Sequence, residues 1–190
     1  KKYKAHRVAL EHRFYGKSIP FGTLTPQALK YLSMDQALED LAEFEKYARD
    51  VVGLKGKWIA VGGSYPGSLS AFYRMKYPDL VVGALSSSAP VLAKANFEEY
   101  DLHVARVAGP VCLQAIQKAV SEVEERLKSP ETALSVKKLF HAEMILDERD
   151  FLYVIADMAA IAIQYGGHQR FCQALKNGLD QNRVVEAYAE

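Results

Sequence analysis

The stretch Trp58-Ile59-Ala60-Val61-Gly62-Gly63-Ser64-Tyr65-Pro66-Gly67 decides the fold. Its four leading apolar residues predict a short strand buried on both faces, as strands of parallel sheets are. The glycine pair then marks a turn. Ser68 to Lys76 follows as a helix, with Leu69, Phe72 and Tyr73 on one side and Pro78 beyond its end. A strand that turns directly into a helix carries Ser64 at its apex.

Working outward, Leu80 to Leu85 predicts a second buried strand that runs into Ser86-Ser87-Ser88-Ala89-Pro90. Upstream, Ser33 is the expected N-cap of a helix in which Ala37, Leu38, Leu41, Phe44 and Ala48 recur at helical spacing, and Gly53 stops it. Earlier still, Val8-Ala9-Leu10 reads as a strand that exits into Glu11-His12-Arg13-Phe14-Tyr15-Gly16. Strand, helix, strand, helix, strand predicts a parallel α/β sheet over residues 1–96. Residues 97–190 change character and predict only helices. These are an amphipathic segment from Val111 to Leu127, with Leu113, Ile116, Val120, Val123 and Leu127 itself on its stripe, and a helix from Pro130 to Phe140. An apolar one follows over Phe151–Ile163, then a break at Gly166-Gly167 and a helix from His168 to Lys176.

The turn at Ser64 has the chemistry of a nucleophile elbow. A serine hydroxyl attacks well only when a base takes its proton and the group stands clear of the backbone. A tight strand-to-helix turn does the second job and demands a small residue two places before the serine, here Gly62. The amide of Tyr65 then falls at a helix N-terminus, where it can hold a developing oxyanion. The pattern departs from G-x-S-x-G, because Pro66 stands two places after the serine with Gly67 next; proline is acceptable in a first helical turn. The alternative reading is a glycine-rich turn that binds phosphate or nothing. Taken as an elbow, the stretch predicts an α/β-hydrolase core with Ser64 as nucleophile. The acid and histidine of such a triad follow the serine on later loops. Of His6, His12, His103, His141 and His168, two precede Ser64 and three lie in the helical region. Only His168, beside the glycine pair, stands as an outside candidate for the base. The triad acid and histidine are therefore expected outside this chain.

Composition narrows the partners. With 49% hydrophobic and 25% charged residues a packed core is expected, and a net charge of +1 gives no electrostatic case for nucleic acid or an anionic membrane. No apolar run approaches the roughly 18 residues of a membrane-spanning helix, and Lys1-Lys2-Tyr3-Lys4 opens no signal-peptide pattern. Cys112 and Cys172 are too far apart for a zinc pattern. They are two buried thiols or one long-range disulfide. No cofactor or metal is expected.

Glu11 through Gly22, the Gly62 to Gly67 elbow, and Arg74-Met75-Lys76-Tyr77-Pro78 through Ser86-Ser87-Ser88-Ala89-Pro90-Val91 together resemble the S28 serine peptidases. The resemblance is dense to about residue 125 and includes Asn96-Phe97-Glu98-Glu99-Tyr100. It implies a serine exopeptidase with a proline-related preference, a peptide substrate, a lysosomal or secreted compartment, and a homodimer as one assembly. It also implies that residues 97–190 begin a helical cap and that Cys112 pairs with Cys172. An esterase or lipase on the same elbow, or a non-catalytic binding fragment, are the competing functions. Glu11, Arg13 and Tyr15 are read either as bordering the site or, preferentially, as a buried polar knot at the strand exit.

Overall fold

The computed structural model describes residues 4–190. The chain divides into two compact units, Lys1–Ala93 and Lys94–Glu190.

In the first unit the ordered elements are a 3-10 turn at Pro20–Gly22, α1 (Pro26–Leu29), α2 (Met34–Asp50), β1 (Trp58–Gly63), α3 (Tyr65–Lys76) and β2 (Val81–Ser87). Ser33 caps α2 as expected, its hydroxyl accepting from the Gln36 amide at 3.3 Å. β1 and β2 pair in parallel, with Ile59 opposite Gly83 and Gly63 opposite Ser87. Among the described residues they form a two-stranded sheet, so the unit is mostly helical with a small parallel sheet, compatible with part of an α/β fold.

Two expectations are corrected here. Val8–Leu10 forms no strand: residues 4–10 run without ladder pairing and Val8 and Leu10 are exposed. Three apolar residues among Lys4, His6, Arg7 and Glu11 bury too little to fix an extended segment, and a strand is stabilised by its pairing rather than by propensity. The strands are also not buried on both faces. Trp58 and Ala60 of β1 pack with Ala37, Leu38, Leu69, Tyr73 and Val81, whereas Ile59 and Val61, which point the other way, are 63% and 69% exposed. Helices α2 and α3 contribute to the same apolar cluster, so the alternating side chains of β1 divide into a covered set and an open one.

That cluster contains a carboxylate. Glu45 of α2 is 2% exposed and accepts from the Arg49 guanidinium at 2.7 Å and from the Tyr73 hydroxyl at 3.0 Å. Arg49 continues to the carbonyls of Gly56 and Leu80, at 3.1 and 3.3 Å. The network joins α2, α3 and the entries to both strands. Burial and the Glu45 carboxylate push the Tyr73 phenol well above the ordinary tyrosine range.

The second unit is helical throughout: α4 (Glu98–Ala108), α5 (Pro110–Arg126), α6 (Pro130–Leu139), α7 (Glu148–Gln164), α8 (His168–Asp180) and α9 (Val184–Ala189). The buried line of α5 is Cys112, Ala115, Ala119 and Val123; of the expected stripe Val123 and Leu127 are buried, Ile116 and Val120 pack half-buried against the core, and Leu113 is half-buried. Small side chains at the centre let Leu175, Phe151 and Val185 of neighbouring helices come close, and the larger residues close the sides. Helix α4 falls within residues 97–190, where the sequence predicts helices but marks none at this position. Cys112 of α5 and Cys172 of α8 are joined by a disulfide across a sequence separation of 60. No helix among the described residues is long and apolar enough to cross a membrane.

Candidate active site

Ser64 stands between the end of β1 and the start of α3 with φ 58° and ψ −131°. A non-glycine residue at positive φ is sterically disfavoured and persists only where its surroundings impose it. They do so here from several directions. The Ser64 amide donates to the Ser87 carbonyl at 2.9 Å and its carbonyl accepts from Ser68 at 3.1 Å. A β-carbon on Gly62 would lie 2.1 Å from the Pro66 carbonyl oxygen, so only glycine fits before the apex. Gly67 is constrained likewise: a β-carbon there would meet the Ala89 β-carbon at 2.9 Å and the Ser87 carbonyl at 3.0 Å. The proline in place of the usual glycine costs the turn nothing, because the close approach to β2 falls one residue later, on Gly67.

The Ser64 side chain is exposed and makes no hydrogen bond to the described residues. Tyr65 opens α3, and the amides of a first helical turn have no partner within the helix. An exposed hydroxyl beside a free helix N-terminal amide is an arrangement that can attack a carbonyl and hold the charge that develops on its oxygen.

The loop before α1 reaches this turn. His12 places Nε2 3.0 Å from the Tyr65 hydroxyl and Nδ1 2.8 Å from the Arg13 carbonyl. Arg13 grips α2: it donates to both oxygens of Asp40 at 2.6 and 2.7 Å, to Gln36 at 2.6 Å and to the Tyr31 carbonyl at 2.9 Å. Glu11 accepts from the Ser18 hydroxyl at 2.7 Å and the Lys17 amide at 3.0 Å, which hold its carboxyl below the usual range. No buried knot at a strand exit is formed: Arg13 is half-buried against Asp40, Gln36 and the Tyr31 carbonyl, while Glu11 bonds within its own loop at the surface. Tyr15 takes part in neither and is exposed, its ring set edge-on to His12. Burial and the neighbouring Tyr15 raise the Tyr65 phenol above its ordinary value. A cleft of about 660 Å³ runs alongside, lined by Leu10, His12, Tyr15, Leu41, Val61 and Tyr65 among others.

Two of the remaining histidines are held elsewhere. His103 bonds to Arg106 at 2.8 Å, and the His168 ring faces the Ala108 carbonyl at 3.5 Å within the helical unit. Neither makes a bond to an acid or a hydroxyl that would mark it as a base. The contact of His12 with Tyr65 leaves no signal in the sequence, because 53 residues separate the two.

This geometry belongs to a chain whose residues 1–182 match the family of the serine carboxypeptidase S28. It is 42% identical over 193 residues to the probable serine protease EDA2 of Arabidopsis thaliana, covering 95% of this chain and 39% of that protein. It is 34% identical over 174 residues to the thymus-specific serine protease of Mus musculus, covering 84% and 34%. With the lysosomal Pro-X carboxypeptidase of Mus musculus it shares 37% over 149 residues, covering 73% and 30%. The class is that of the serine-type peptidases, and the chain belongs to the S28 family within it. It spans well under half the length of the curated relatives it matches.

Proposed function

We propose that this chain supplies the nucleophile of a serine exopeptidase with the α/β-hydrolase fold. The observation that carries the reading is the apex at Ser64, held at φ 58° between Gly62 and Gly67, both too crowded for a side chain. In this mechanism the Ser64 Oγ attacks the scissile carbonyl while a histidine takes its proton. The Tyr65 amide donates to the oxyanion. The histidine returns the proton to the leaving amine as the C–N bond breaks, and water then cleaves the acyl ester by the same steps in reverse order. The histidine and its aspartate are assigned outside this chain. Residues 97–190 act as a helical cap that shapes the peptide site, and the cleavage site is near a chain end with a preference connected to proline. The name of one relative, the lysosomal Pro-X carboxypeptidase, supports that preference and a lysosomal or secreted compartment. A disulfide between Cys112 and Cys172 fits an oxidising compartment.

The test is a panel of short proline-containing peptides and acyl nitrophenyl esters, offered to the full-length protein and to its Ser64→Ala variant. Cleavage of peptides near one end, abolished by the substitution, is expected. Rapid ester turnover with untouched peptides would replace the peptidase by an esterase.

A further inference from the structure

Among the described residues the loop that carries His12 and the first turn of α3 meet at one hydrogen bond, and its polarity can be read from its partners. The Arg13 carbonyl can only accept, so His12 Nδ1, 2.8 Å from that oxygen, carries the proton. In the neutral ring Nε2 is then the acceptor, and the Tyr65 hydroxyl donates to it across 3.0 Å. The ring has little freedom to turn away. It stands edge-on to Tyr15 at 5.3 Å and tilted against Tyr65 at 5.6 Å. On either side in sequence the backbone is anchored, by Glu11 to Lys17 and Ser18 and by Arg13 to Asp40, Gln36 and the Tyr31 carbonyl.

The first turn of α3 needs such a hold. Its N-cap, Ser64, makes no side-chain capping bond, and Pro66 brings no N–H. Two side chains pin it from outside: Ser68, whose hydroxyl donates to the Pro90 carbonyl at 3.1 Å, and Tyr65 through His12. Directly before these pins stands Ser64 at positive φ, a conformation that relaxes when its flanks are released.

We infer that His12 is a positioning residue for the oxyanion donor, fixing the Tyr65 side chain and with it the amide that follows Ser64. The inference rests on the reading of Ser64 as nucleophile and the Tyr65 amide as donor. His12 touches no reacting atom. It acts because an oxyanion bond stabilises the transition state only when the donor is already aimed.

The experiment is a double-mutant cycle in the full-length protein with Tyr65→Phe, His12→Phe and the pair, with His12→Gln as the conservative variant whose side-chain oxygen can accept from Tyr65. Each single change is expected to lower kcat about tenfold while KM stays within about twofold, since the interaction is felt in the transition state. The pair should be no slower than the worse single variant, and His12→Gln should recover most of the rate. Effects that multiply in the pair, or a Tyr65→Phe enzyme with unchanged kcat, overturn the inference. Thermal midpoints read alongside separate misfolding from misaiming; if His12→Phe unfolds, Tyr65→Phe decides alone, because it removes a single oxygen from a 39% exposed residue. Fluorophosphonate labelling of the unsubstituted enzyme keeps the two readings apart. Labelling at Ser64 with normal turnover by both variants defeats only the role of His12, whereas no labelling at Ser64 defeats the nucleophile as well.

Discussion

A β-carbon on Gly62 would sit 2.1 Å from the carbonyl oxygen of Pro66, closer than any two such atoms approach. The tightness of the turn that presents Ser64 is therefore written into one missing methyl group. Gly62→Ala must push the first turn of α3 away from β1, and the cost of such overpacking is about 1–3 kcal/mol. Loss of peptidase activity is expected to exceed what that destabilisation explains, measured as kcat/KM at a temperature where the variant is still folded. Gly63→Ala is the control: its β-carbon would meet the Ser87 carbonyl at 3.8 Å, an ordinary contact.

The Glu45–Arg49–Tyr73 network predicts a stability effect away from the apex. Glu45→Ala leaves the Tyr73 hydroxyl without its carboxylate and Arg49 with only carbonyl partners. Removing one partner from a buried polar group costs about 1–3 kcal/mol, and chemical denaturation of the variant should show a loss of that size. Glu45→Gln keeps an acceptor for Tyr73 and should lose less.

Joining Cys112 to Cys172 closes a loop across 60 residues of sequence. Constraining the unfolded chain in this way is worth about 2–4 kcal/mol in the loop-entropy account. The paired change Cys112→Ser with Cys172→Ser, or reduction with a thiol, should lower the thermal midpoint; an unchanged midpoint would mean that the bridge adds nothing to the packing of α5 on α8.

Glu11 gives a pH dependence with a definite sign. Its hydrogen bonds from Ser18 and Lys17 favour the charged form, so its pKa in the folded chain lies below the ordinary value. The stability these bonds contribute is present above the ordinary glutamate value and lost as pH falls through the lower folded value. Carboxyl NMR titration should place the Glu11 midpoint below that of an unfolded glutamate, and Ser18→Ala should raise it. A midpoint at the ordinary value in the unsubstituted protein would mean that the bonds are absent in solution.

Much of the first unit was legible in the sequence. The run Trp58–Val61 before a glycine pair has one reading as a strand, and Ser33 with the spacing from Ala37 to Ala48 has one as a capped helix; both elements are where they were expected. Position 8 to 10 was not legible, because a strand exists through pairing that no local pattern records. Nor was the open face of β1, since periodicity says which residues are apolar and not what covers them. In α5 the expected stripe holds at Val123 and Leu127, while packing selects the small Ala115 and Ala119 rather than Leu113, Ile116 and Val120 for full burial. The apex at Ser64 was readable because a tight turn leaves a glycine signature. His12 was not, because its partner is brought to it by the fold, and Glu45 lay hidden as an apparently ordinary acidic residue of a helix.

The central claim, that Ser64 is the nucleophile, is tested most directly by treating the full-length protein with a fluorophosphonate and mapping the modified residue by peptide mass. Modification of Ser64, and its disappearance in Ser64→Ala, is the predicted result. An unmodified Ser64 in folded full-length protein, or labelling that survives Ser64→Ala, would contradict it.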